Sequence, residues 1–94
     1  AMSSMGDYKV YLEEEAGNGR ADIIMKHNRP GLPDIVIEFK KIKSDDETAQ
    51  LKEAEAAIEQ IKNREYSYGL GKNQILYGVC FNGKRPKVVM EHIA

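Results

Sequence analysis

The chain has 94 residues, room for one small domain around a single core. Its hydrophobic fraction of 41% supports a packed interior, while 14 Lys and Arg against 15 Asp and Glu give a formal net charge of -1, which excludes a global pull toward nucleic acid or an acidic membrane. A single cysteine excludes an internal disulfide, and no stretch reaches the length of a membrane span or reads as a basic-then-apolar leader, so the expectation is a soluble cytoplasmic protein with a reduced, buried thiol.

Ala1 to Met5 reads as an expression scar, with the native start expected at or near Met5 or further upstream in a longer protein, and residues 6–94 as one domain. Asp7 to Glu14 sets Tyr8, Val10 and Leu12 on one face and Lys9, Tyr11 and Glu13 on the other, the period of a half-buried strand. Gly17-Asn18-Gly19 supplies hairpin-turn residues. Arg20 to Lys26 and Asp34 to Lys40 are the next strands, joined by a loop whose Pro30, Gly31 and Pro33 exclude regular structure. Ser44 followed by Glu47 forms a capping box for a helix running to about Asn63, with Leu51, Ala54, Ile58 and Ile61 at helical spacing on its apolar face. Tyr66 to Asn73 predicts a turn or one loose helical turn. Gln74 to Phe81 and Pro86 to Ile93 are strands around Asn82-Gly83, a two-residue hairpin signal. The expected fold is an α/β (mixed α+β) domain of order βββ-α-ββ, a mixed five-stranded sheet with one main helix on one face.

A hairpin centred near Pro30 sets Asp22 directly opposite Glu38. Two carboxylates facing each other across neighbouring strands repel, and a divalent cation between them is the simplest remedy, because one or two carboxylates are what Mg²⁺ takes from a protein. Lys40, two residues beyond Glu38, shares its face. The Pro33-Asp34 pair competes for the acidic role, but Asp34 lies roughly 13 Å from Glu38 along the strand, and Mg²⁺ reaches only about 2.1 Å. Asp22 is therefore the better partner.

Glu15-Ala16-Gly17-Asn18-Gly19-Arg20-Ala21-Asp22-Ile23-Ile24, Pro33-Asp34-Ile35-Val36-Ile37-Glu38-Phe39-Lys40, Glu59-Gln60-Ile61 with Tyr66, and Tyr77 to Lys84 follow in that order. Together they resemble the PD-(D/E)XK nuclease-like domain at the C-terminus of certain bacterial AAA-ATPase-like proteins. The resemblance covers nearly the whole chain after Met5 and implies a restriction-endonuclease-like core. It also implies a catalytic set of Asp22, Glu38, Lys40 and Gln60, with Mg²⁺ or Mn²⁺ held by Asp22, Glu38 and the Phe39 carbonyl. On that reading the ion activates water, Lys40 assists the attack and Gln60 completes the site. Members of the family usually carry a helix before the first strand, and Met5 to Asp7 leaves no room for one here, so the expectation is either a trimmed sequence or a minimal variant.

A nuclease usually presents a basic groove; here the basic residues fall in local clusters, Lys26 with Arg29, Lys40 with Lys41 and Lys43, and Lys84 with Arg85 and Lys87. Arg20, Lys26, Arg29, Lys41 and Lys43 are the candidates for phosphate contact. Glu15 is a candidate for the site rim. His27 and His92 have no partners at zinc spacing, Gly69 to Lys72 lacks the frame of a phosphate-binding loop, and Tyr66, Tyr68 and Tyr77 suit packing better than base stacking. Two functions remain: a Mg²⁺-dependent nuclease acting on DNA, less readily RNA, and a non-catalytic docking domain of a larger ATPase-linked protein. One helix covers one face of such a sheet, so its strands leave a second apolar face, and a homodimer is expected.

Overall fold

The computed structural model describes residues 2–15, 20–63 and 70–94, with side chains within 6–13, 22–63 and 70–94. The expected Gly17-Asn18-Gly19 turn, and Tyr66 and Tyr68, lie outside the described residues. In chain order the elements are β1 (Met2–Met5), β2 (Tyr8–Glu15), β3 (Arg20–His27), β4 (Asp34–Lys41), α1 (Glu47–Asn63), β5 (Gln74–Phe81) and β6 (Pro86–Ile93). The strands lie side by side in that same order. Neighbours are antiparallel except β4 and β5, which α1 connects as a parallel pair.

The five long strands and one helix are the architecture read from the sequence. Residues 2–5, set aside there, add β1 at the sheet edge, pairing Met2 with Tyr11 and Met5 with Tyr8. Gly6, at φ 55, opens the two-residue turn between them. The segment Met2–Met5 lacks alternation and β-branched residues, so its strand comes from pairing with β2 and not from its own pattern.

Helix α1 packs on β4, β5 and β6, and the core forms between Ile24, Val36 and Leu76 of the sheet and Ile58 and Ile61 of the helix. Burial of such side chains contributes about 1.5–3 kcal/mol each. Tyr11 packs against this cluster from β2, so the more polar side of β2 faces the core and Leu12, on the other side, is 40% exposed. Gly78 sets the helix height. A Cβ there would stand 2.0 Å from the Ala54 carbonyl oxygen, so only glycine admits α1 this close to β5.

Three local expectations are corrected. Asp46, not Ser44, caps the helix: its Oδ1 accepts the Thr48 N–H at 3.2 Å, while Ser44 Oγ accepts the N–H of Asp46 at 3.1 Å in the approach. Leu51 is 45% exposed, and Gln50 takes the buried position because its amide donates to the Ser44 carbonyl at 2.8 Å. β5 and β6 have the expected bounds, Phe81 pairing with Pro86 across a four-residue loop, but Asn82-Gly83 is not a two-residue turn: type I′ needs positive φ at both central residues, and among the described residues only glycines, Gly83 included, have it. Asn82 organises this loop instead, accepting the Lys84 N–H at 3.0 Å and donating to Asp45 at 3.1 Å. Among the described residues no helix is long and apolar enough to cross a membrane.

Candidate active site

Residues in register across a sheet share a face, and two rows on the helix-covered face matter. From β2 to β6 one row reads Glu13, Asp22, Glu38, Gly78 and Val89, and the next reads Glu15, Arg20, Lys40, Cys80 and Lys87. Asp22 thus faces Glu38 directly. Asp22 is 4% exposed and Glu38 is fully buried. Both residues make further interactions, although the Glu38 Oε2 atom itself accepts no hydrogen bond among the described residues.

Lys40 enters the same face one step further along β4, its Nζ 3.5 Å from Glu53 Oε2 of α1. The Lys40 side chain is 11% exposed, so its ammonium is carried on a largely buried stem. Glu53, Ala57 and Gln60 lie on one stripe of α1 by their spacing. Glu53 meets Lys40, Ala57 borders the Gly78 position beside Glu38, and half-buried Gln60 follows one turn on. α1 lies over β4, β5 and β6 and reaches β3 only through the side-chain cluster around Ile24, which places Asp22 at the helix flank, still only 4% exposed. Phe39 points its side chain to the opposite face, so only its backbone can take part.

Asp34 has a different environment. It is fully buried and accepts the His27 N–H at 3.0 Å, the Gly71 N–H at 2.6 Å and a bond from His27 Nδ1 at 2.5 Å, joining the β3–β4 turn to the segment before β5. Its carboxylate is a structural tie.

A family model of the PD-(D/E)XK nuclease superfamily matches residues 1–91. The chain belongs to the PD-(D/E)XK nuclease superfamily. Comparison with curated proteins and with solved structures finds no match. Superfamily membership rests on the match across the chain, β1 included, and the nuclease-like fold follows from it.

Among the described residues no group of three or more His, Cys, Asp or Glu is arranged around a metal position. Two facing carboxylates nevertheless suit Mg²⁺, which keeps several waters and takes one or two protein carboxylates. The residues present fit a divalent metal, the class of ion that PD-(D/E)XK nucleases typically use.

Among the described residues the basic candidates are spread over several places. Lys41 and Lys43 are exposed near the Lys40 end, and Arg20 pairs with Lys40 in register, its side chain outside the described residues. Lys26 pairs with Lys9 toward the other end of β3, and Arg29 is bound to Asp7 at 3.0 Å. Lys84 and Lys87 stand 3.5 Å from Asp45 and Glu47 respectively, which lowers their call on a polyanion.

Two acids escaped the sequence reading as site residues. Glu13 stands across from Asp22 in β2, exposed at the open side; hairpin arithmetic centred on Asn18 would have set Glu14 there instead, one residue away from the observed register, in which Glu15 pairs with Arg20. Glu53 had no comparable signal, because its meeting with Lys40 depends on the phase of α1 over the sheet. Cys80, beside Lys40 in the same row, has its thiol pushed up by burial, with Glu53 adding and Lys40 opposing.

Proposed function

We propose that the chain is a divalent-metal-dependent nuclease hydrolysing phosphodiester bonds in DNA. The observation that carries this reading is the register that sets buried Asp22 against buried Glu38 with Lys40 one same-face step away. Asp22, Glu38 and the Phe39 carbonyl would hold Mg²⁺ or Mn²⁺, which when bound polarises a phosphate oxygen and lowers the pKa of coordinated water. Lys40 leaves the strand two residues, roughly 6.6 Å of backbone rise, beyond Glu38 on the same face, where its ammonium would hold the attacking water or meet the negative charge developing on the phosphate. Gln60 orients that water or the Lys40 ammonium through its amide. Arg20, Lys41 and Lys43 would take flanking phosphates, with Lys26 and Arg29 further off. The single buried cysteine supports a reducing, cytoplasmic setting.

A second reading, a non-catalytic docking domain of an ATPase-linked protein, draws on the apolar face that α1 leaves uncovered. Docking alone gives no reason for two buried acids to face one another, and for that reason we favour the nuclease. Cleavage of duplex DNA, single-stranded DNA and RNA with Mg²⁺, Mn²⁺ or a chelator tests this directly. Metal-dependent DNA cleavage is expected, with Lys40→Ala lowering the rate by about 10²-fold or more. Full activity in that variant would remove Lys40 from the mechanism, and intact substrates under every metal condition would remove the nuclease reading.

A further inference from the structure

We propose that the sheet face opposite α1 is a contact between two copies of this chain. Its middle row runs Leu12, Ile23, Ile37, Tyr77 and Met90 from β2 to β6. The rows on either side of it are equally free of charge across β3, β4 and β5: Met25, Ile35 and Ile75 on one side, Phe39 and Val79 on the other. α1 packs on the other face, so no described element covers this one. Exposure is greatest at the margins: Val88 is 55% exposed, Met90 57%, and Leu12 and Phe81 40% each.

Area and charge identify the occupant as a second copy. Strands about 4.8 Å apart, rising about 3.3 Å per residue, give five eight-residue strands a projected face of roughly 600 Å². The accessible surface of protruding side chains exceeds that projection, which brings it near the ~800 Å² per partner of a stable complex and to the upper end of what monomers leave exposed, about 300–600 Å². A face with an uncharged interior meets itself without like-charge repulsion. Two such sheets stack about 10 Å apart, and a two-fold axis lying between the faces and along the strands would set the Leu12 end of each row toward the Met90 end of its partner's. This contact is independent of the proposed chemistry, since Asp22, Glu38 and Lys40 lie on the opposite face.

Sedimentation velocity and light scattering of the purified chain at low micromolar concentration provide the test. Twice the chain mass is expected. Met90→Lys and, separately, Leu12→Lys should each raise the dimer dissociation constant roughly 100-fold or more, because an isologous contact carries each change twice. Leu51→Lys, on the exposed side of α1, should leave the dimer intact, and circular dichroism should show all variants folded. A monomeric wild type overturns the proposal, leaving the face to another segment or partner. So does a dimer broken by Met90→Lys but not by Leu12→Lys, which would place the contact at the β6 edge.

Discussion

Asp34 and Glu38 are fully buried acids four residues apart on β4, and their surroundings separate their roles. Asp34 receives the backbone N–H groups of His27 and Gly71 and the His27 ring, whereas Glu38 is set against a second carboxylate. The separation was legible in the sequence: strand rise keeps Asp34 from sharing an ion with Glu38, and the hairpin centre fixes Asp22 opposite it. Glu53 was not legible, because contacts between a helix and a sheet depend on packing height and phase, which spacing along one chain does not specify. At Cys80, burial raises the thiol above its ordinary value. The unfolded chain therefore loses this proton first as pH rises, so the stability tied to the thiol is intact below the ordinary value of about 8.5 and is lost as pH climbs through the folded value. Urea midpoints between pH 8 and pH 10 should fall further for the wild type than for Cys80→Ala. Equal falls would show that the thiol has no such linkage.

Among the elements, α1 decides the geometry of the site, and Gly78 decides the position of α1. Replacing Gly78 by Ala forces the Ala54 carbonyl away, and a displaced helix takes Glu53 and Gln60 with it; a loss of about 3 kcal/mol is expected from overpacking. Asp46→Ala removes only the cap of the Thr48 N–H, at about 1 kcal/mol. Urea denaturation measures both, and a Gly78→Ala variant as stable as Asp46→Ala would mean the helix can shift at little cost. The bounds of α1 and of the long strands were readable from periodicity and turn residues. The position of the cap and the burial of Gln50 in place of Leu51 were not. Ser44 and Asp46 are both competent caps by type, and the choice between them rests on the path of the chain leaving β4.

Among the described residues the molecule is a single layer of strands with one helix, and its two faces divide the work. The covered face brings acids from β2, β3 and β4 into one row beside the helix flank, and the opposite face is apolar and open. With a net charge of -1, the proposed action on DNA would have to draw its affinity from local contacts near the Lys40 end and from an ion at the proposed site. The most direct test of the central claim is thermal unfolding with and without Mg²⁺ or Mn²⁺, for the wild type beside Asp22→Asn. An ion that binds only the folded chain, at tenfold its dissociation constant, contributes about 1.4 kcal/mol, or roughly 5–10 °C for a domain of this size. The account predicts that rise in the wild type and its loss in Asp22→Asn; no rise in the wild type, or the same rise in both proteins, would contradict it.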